Sequence, residues 1–455
     1  MARDLAPGER VHVQRPLAGW ANGPARLAVL GVLLCGLVSS NLLMTLGIPY
    51  AVPYGSFAAK LHPGSYFILA GFLWLLLRRN PILSVLELGR RAPAPAGLAA
   101  VIAIMIAYSI AMYGLSGSAF IIDTLLIPTL LALILDCTHP FTRRRLFLFI
   151  VAILALNAVV GLAEAAFQAR LIPYLRGDTV VVEDFFRSTA LQGHPLANAL
   201  RTLVILICAL LFIGHGKAGL LIWLFLASLL AFGSRTGIVL AGVLLGIWAV
   251  VRLSTDLRVR GLQPRRHFLM IVVTVFGLAT LIALALFTSV GERIFTLFYF
   301  DESAKARFIV LQVFGLLSAS DLWLGMGPRK IDNVLFLLSR TSSVTDIENV
   351  WLLFVMQFGL LLTLLFAIGL AAFLWSLARG QSLEVRLAVI AFAVFILSNN
   401  SLASKSQDMV LFVASVMGAS AWESTEARLR RAQMYMVSRS TAANRLSPLL
   451  RGAPI

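Results

Sequence analysis

Charge is scarce in this chain. Only 13% of its 455 residues are Asp, Glu, Lys or Arg, while 59% are hydrophobic, a balance that excludes an ordinary soluble globular domain. Acidic residues are the scarcer kind, 21 against 38 Lys and Arg. In a soluble protein the resulting formal charge of +17 would point to nucleic acid. At a mean hydropathy of +0.90 it reads instead as topology signal and lipid-headgroup contact, so nucleic acid is discounted. The three cysteines, Cys35, Cys137 and Cys208, lie in or at the ends of apolar runs and show no CxxC spacing, which excludes a disulfide framework and a thiolate metal site. Also lacking are HExxH, DxD and any clustered His/Cys/Asp set, so no metal and no cofactor is expected. There is no internal repeat and no low-complexity tract.

What the chain has in abundance is long apolar runs. A helix needs ~20 mostly apolar residues to cross a bilayer, and about twelve such runs can be marked, near 27–46, 57–77, 97–114, 119–136, 146–168, 196–213, 218–232, 236–253, 268–290, 349–375, 385–402 and 409–422. The expected fold is therefore all-α: a polytopic transmembrane bundle over 27–422, with an N-terminal tail at 1–26 and a basic tail at 423–455. The run from Leu27 to Leu46 reads as a signal anchor that is retained. With a cytoplasmic N-terminus, 25 of the 38 basic residues fall inside and 12 outside, with Arg201 inside a span. That partition obeys the positive-inside rule and puts both termini in the cytoplasm.

Two outer segments stand out, 169–195 and 291–348, and both are expected to be structured. The second, with Asn349 at its edge, carries six basic residues and forms the longest polar excursion between apolar spans. Within it, Ala304 to Leu317 spaces Phe308, Leu311, Val313 and Phe314 as an amphipathic helix on the outer membrane surface would. Outer arginines run against positive-inside pressure, so Arg187, Arg235 and Arg307 ask for a reason. Guanidinium groups bind phosphate in a bidentate way and keep their charge when buried; the bland alternative is contact with headgroups or carboxylates. Glu348, just before Asn349-Val-Trp351, reads either as a charge complementing a helix N-terminus or as a general base, with Asp346 a competitor for the same role. His194 in Gly193-His194-Pro195 reads as a helix cap or a substrate contact. Asp123 and Glu164, near the outer ends of their spans, read as structural, and Gly325-Met-Gly327 as a tight turn.

The order of these elements over residues 150–375 resembles the O-antigen ligase and bacterial polysaccharide polymerase family of integral membrane glycosyltransferases. The resemblance rests on Arg187 followed by Gly193 to Ala197, on Ser234-Arg235-Thr-Gly237 entering an apolar span, on a large outer loop with Arg307 and Leu324-Gly-Met-Gly327, and on an acid plus Asn before a helix containing Phe358-Gly359. It implies metal-independent transfer of a glycan from an undecaprenyl-diphosphate donor to a saccharide acceptor on the outer face of the bacterial inner membrane. It also implies that Arg187, Arg235 and Arg307 hold the diphosphate, Glu348 activates the acceptor hydroxyl, and His194 and Asn349 contact substrate. A partner protein that sets chain length fits such an enzyme, but no residue of the chain names one. Ligases of the family commonly carry His-Asn where this chain has Glu348-Asn349, which favours a polymerase over a ligase. The rival from another class is a lipid-linked oligosaccharide flippase or other transporter.

Overall fold

The computed structural model describes residues 22–52, 54–78, 80–176, 179–181, 186–213, 218–260, 313–315, 317–341, 349–397 and 401–423. The ninth expected span (268–290), nearly all of the expected surface helix, Arg307, Asp346, Glu348 and most of both tails lie outside them.

Within these residues the chain is an all-helical membrane bundle. Its helices are α1 (Asn22–Leu37), α2 (Ser40–Thr45), α3 (Pro63–Leu77), α4 (Pro81–Arg91), α5 (Pro93–Gly117), α6 (Ala119–Asp136), α7 (Pro140–Phe167), α8 (Pro195–Ala209), α9 (Ala218–Ala231), α10 (Arg235–Arg260), α11 (Ala319–Leu324), α12 (Pro328–Thr341), α13 (Val350–Ala378), α14 (Leu383–Leu397) and α15 (408–423). Six of the described helices are long and apolar enough to cross a membrane. A short hairpin, Leu175–Arg176 paired with Thr179–Val180, interrupts the helical pattern in the segment before α8.

Local sequence explains where several helices start. His62, Asn80, His139 and His194 each precede a proline, and each side chain accepts the N–H two residues ahead. Proline at the first helical position has the fitted φ and no N–H to leave unpaired, while the cap satisfies one of the donors that remain. Burial sorts the helices by depth. In α8, all but Leu196 and Ala197 are buried, so it is the central post, packed by α14, α7, α9 and α10. In α5 only five residues are buried, so most of its surface lies outside the packed interior, as a helix at the rim of the bundle does.

The spans are less regular than an apolar run implies. The first, expected as one helix, breaks at Val38–Ser39; α5 is bent at Gly114 (φ 74°), α6 contains a π-helical stretch over Ile122–Leu126, and α13 breaks at Gly359 (φ 74°). Each break frees backbone groups that lipid cannot satisfy, so protein must. At the α1 break, His62 Nε2 donates to Val38 O at 2.9 Å and Gln192 Nε2 donates to Gly36 O. At the α13 break, Met326 N donates to Met356 O at 2.6 Å and the Tyr113 hydroxyl donates to Gln357 O at 3.1 Å.

The chain alternation gives the bundle two distinct ends. Arg78, Arg90, Arg91, Arg143, Arg144, Arg145 and Arg252 gather at one, where α3 and α6 end and α5, α7 and α14 begin. At the other lie all four helix breaks and the starts of α3, α8, α10, α13 and α15.

Candidate functional site

At this second end a cavity of about 720 Å³ opens between the helices, within the size range of ligand clefts. Its wall comes from the broken end of α1 and α2 (Val38 to Asn41), from the Tyr50–His62 loop, from Tyr113 at the α5 bend, from Gln192–Ala197 at the start of α8, from Pro328 of α12, and from Ser404–Asp408. Helix ends supply it with hydroxyl, amide and charged groups that an unbroken apolar span would not carry.

Buried polar side chains hold each wall in place. The Glu164 carboxylate, at the end of α7, accepts the Ser188 hydroxyl (2.7 Å) and the N–H groups of Thr189 (3.1 Å), Ala190 (2.9 Å) and Leu171 (2.8 Å). Asn157 Oδ1 accepts Leu191 N at 3.0 Å, Asn198 Nδ2 donates to Thr189 O at 2.6 Å, and Asn41 Nδ2 donates to Gly193 O at 2.7 Å. The stretch 188–194 is thus irregular backbone fixed by four side chains from three helices, and the left-handed φ of Ala190 (40°) is sustained by these bonds. Glu164 takes the structural part expected of it, with hydroxyl and backbone donors as its partners.

Asp123 does the same for the opposite wall. Its carboxylate accepts the Tyr50 hydroxyl at 2.9 Å and His62 N at 2.9 Å, and the adjacent Thr124 hydroxyl donates to Ser404 O at 2.8 Å. Lys405, in the turn between α14 and α15, donates to Tyr50 O at 2.5 Å and Lys60 O at 2.9 Å and lies 4.7 Å from the Tyr50 ring centre. Burial pulls the Lys405 ammonium down from the usual 10.5 to about 8, against the opposing pull of Asp123.

Across the cavity floor runs a buried ion pair. Arg201 Nε donates to Asp408 Oδ1 at 2.6 Å and Arg201 Nη1 to Gln192 Oε1. The pair also borders a narrow cleft lined by Leu200, Val204, Phe392 and Phe412. Among the described residues the lining cations (Lys60, Arg201, Lys405) outnumber the one lining carboxylate, Asp408, so this wall favours an anionic or polar guest. Among the described residues no group of three or more His, Cys, Asp or Glu side chains could hold a metal ion.

Of the residues singled out from the sequence, His194 lines this cavity. Its Nδ1 accepts Leu196 N at 3.2 Å and its ring meets Tyr174 edge-on at 5.8 Å, so it caps α8 and faces the cavity at once. Arg187 and Arg235 lie outside the cavity wall, at the α9–α10 turn of the same end. There Arg187 Cγ would stand 3.0 Å from a Cβ placed on Gly233, two residues before Arg235. Asn349 caps α13, its Oδ1 accepting Trp351 N (3.0 Å) and Leu352 N (3.1 Å). Gly325 and Gly359 come together: a Cβ on Gly325 would lie 2.8 Å from Gly359 N, and one on Gly359 would collide with the Trp323 carbonyl. The Leu324–Gly327 and Phe358–Gly359 elements are thus one backbone-to-backbone joint, which fixes the end of the long polar segment beside the cavity.

The Arg201–Asp408 pair was not read from the sequence as a site. A cation inside an apolar span is itself a functional signal, and Arg201 is one; its partner lies 207 residues away, beyond any local pattern. Comparison of the chain with protein-family models, curated proteins and solved structures finds no match.

Proposed function

We propose that this chain is a bacterial inner-membrane polysaccharide polymerase. In this reading it transfers a glycan from an undecaprenyl-diphosphate donor to a hydroxyl of a lipid-linked acceptor saccharide, without metal, on the outer face. The bundle then has about twelve spans and cytoplasmic termini, with the arginine-rich end inside. The observation that carries the reading is the cavity: a polar, cation-rich space at the expected outer end of an apolar bundle, walled by Gly193–Ala197 and by Pro328, next to the Gly325–Gly359 joint. Gly193–Ala197 and the glycines of the joint are among the residues on which the family resemblance rests, and they are distant in sequence.

The chemistry follows from charge. As the acceptor oxygen bonds to the anomeric carbon, the bond to the diphosphate oxygen breaks and negative charge grows on the leaving phosphate. Fixed cations in a partly desolvated site stabilise that charge most when it has developed. Arg187, Arg235 and Arg307 take this part, and Glu348 accepts the proton of the attacking hydroxyl. Asn349 positions the start of α13, immediately after Glu348.

Broken helices and a buried charge pair beside a cavity are also what a transporter uses, so the test must separate catalysis from translocation. Purified protein in nanodiscs is given a lipid-diphosphate-linked repeat unit and a chelator. Polymer from the wild type, with at least a hundredfold loss (the scale of one lost transition-state donor) in Glu348→Ala and Arg307→Ala, is the expected result. Full activity in both variants would remove those residues from the site. Movement of intact lipid across a vesicle bilayer, with no new glycosidic bond, would replace the enzyme reading with the flippase one.

A further inference from the structure

The arginine end holds a second cavity, which the reaction above does not use. It measures about 260 Å³ and lies where α4 passes into α5, walled by Arg91, Asp136 of α6, Arg143 of α7, Ser376 of α13, Gln381 in the turn that follows and Ser420 of α15. Pro93 and Ser376 in its wall are exposed while Phe373 and Val416 are buried, so it runs from the surface into the bundle.

Two guanidinium groups share this space with one carboxylate. Asp136 belongs to Arg91: its Oδ2 accepts Nε at 2.5 Å and its carbonyl accepts Nη2 at 3.0 Å, and with the side chain 32% exposed, water reaches the rest of it. Arg143 makes no ion pair and no side-chain hydrogen bond among the described residues. Its Nε is closed off, but Nη1 and Nη2 are not, and these tip atoms are what a guest in the cavity meets. Gln381 adds a donor, since its Oε1 accepts the Ser420 hydroxyl at 2.5 Å and its Nε2 has no described partner. A half-buried cation that no carboxylate neutralises, in one wall with a second cation, is costly until an anion arrives.

The surroundings set the depth of the cavity. Trp375, next to Ser376, is 68% exposed, and Trp74 in the last turn of α3 is 45% exposed with Arg78 lying 5.9 Å over its ring. Exposed tryptophans at span ends mark the headgroup level. The α4 helix turns off α3 by 107° and exposes Ile82, Val85 and Leu86 on one face, at positions i, i+3 and i+4, before ending in Arg90 and Arg91. That is the pattern of a helix lying in the membrane interface.

The guest follows from charge and depth together. A metal ion would meet two cations and a carboxylate already engaged, and an apolar ligand would leave Arg143 unanswered. A phosphodiester brings a negative charge and several acceptor oxygens, which guanidinium tips and an amide can receive at once. At headgroup depth the phosphate at hand is that of a lipid, and basic pockets between spans take such headgroups. We propose that this cavity binds the phosphate of an anionic phospholipid from the leaflet at the arginine end, with Arg143 as its chief ligand. The bound lipid ties α4, α7 and the α13–α14 turn together and stabilises the fold by mass action. Nothing in this depends on glycosyl transfer, so the two readings fail separately.

The test follows melting temperature and, by native mass spectrometry, retained lipid. Full-length protein in neutral detergent receives phosphatidylglycerol, phosphatidylcholine, diacylglycerol or inorganic phosphate. Phosphatidylglycerol should raise the melting temperature most and stay bound. Arg143→Gln, which keeps amide donors but not the charge, should weaken that binding at least tenfold, the scale of one charge-assisted hydrogen bond. Arg143→Met should abolish the rise, yet melt no lower than wild type without lipid, because it removes an unpaired buried Nε. Arg145→Met is the control: Arg145 lies 4.3 Å over the Phe141 ring and outside the cavity wall, so its loss should leave binding unchanged. No effect of phosphatidylglycerol on wild type, equal stabilisation by diacylglycerol, or equal loss in Arg145→Met would each overturn the site. So would a lower lipid-free melting temperature in Arg143→Met, which would make Arg143 a structural residue. An equal rise with inorganic phosphate would give the site to a free anion and sink the lipid.

Discussion

The two ends of the bundle both bury charge, and they finish it differently. At the arginine end, the Glu384 carboxylate accepts three hydrogen bonds from Arg252 (2.6 to 2.9 Å) and one from Trp248 Nε1 at 2.9 Å. Arg91 holds Asp136 through Nε at 2.5 Å and its carbonyl at 3.0 Å, and Arg144 lies 4.1 Å over the Trp422 ring. Among the described residues, Arg143 Nε is the one guanidinium atom of this group that is buried without a partner, beside a cavity of about 260 Å³. At the cavity end, Asp408 Oδ2 and Gln407 Oε1 are buried without a partner among the described residues, and the space next to these residues is far larger. Carboxylates that only hold helices together are closed by their neighbours. The Asp408 carboxylate, beside the larger space, keeps one oxygen that no described neighbour satisfies.

The comparison can be broken most forcefully at the Gly325–Gly359 joint. Gly359 has φ 74° and ψ 169°, a region that side chains disfavour, and a methyl group there meets the Trp323 carbonyl. Gly359→Ala should cost about 3 kcal/mol by strain and overpacking together, and should undock the end of the long segment from the cavity. Proteolysis within that segment should accelerate; unchanged cleavage would show that the joint does not anchor it. Next in size is Arg252→Ala, which leaves buried Glu384 without its cation and should lower stability by about 3 kcal/mol. Transfer per folded molecule should stay at the wild-type level, since the pair lies at the far end. Lost activity in correctly folded protein would mean that the arginine end is not purely structural.

A smaller effect sharpens the reading of Asn349. Both of its described acceptor bonds go to the α13 backbone, so Asn349→Ala should cost about 1 kcal/mol of cap stability, and Asn349→Ser, which can still cap, should recover most of it. If Asn349→Ser regains stability but not transfer, the side chain touches substrate as well.

Many of the apolar helices were legible because an apolar run followed by a polar break leaves little choice, and His194-Pro195 marked the start of α8; α4 (Pro81–Arg91), capped by Asn80, fell in a stretch read as a loop. The resemblance also pointed to His194 and to the glycines of the joint. The helix breaks were not legible. Val38–Ser39 can break only because His62 and Gln192 arrive to take the freed carbonyls, and nothing near Val38 announces either. Arg201 and Asp408 were hidden for the same reason, since a charge pair between two spans is invisible to periodicity within one.

The smallest expected effect concerns the only lysine of the 401–408 turn. Lys405 titrates near 8 in the folded chain and near 10.5 when unfolded, so between these values the unfolded chain binds more protons and the stability contributed at this position rises with pH. Below pH 8 both states are protonated and the contribution is flat, at its least favourable. The difference in melting temperature between wild type and Lys405→Met, which has no such group, should therefore drift in favour of wild type from pH 8 to 10. Other lysines and tyrosines shift both proteins alike and cancel. A constant difference across that window would mean that the Lys405 ammonium is as well solvated as in the unfolded chain, and the contrast between the two ends would then rest on Gln407 and Asp408 alone.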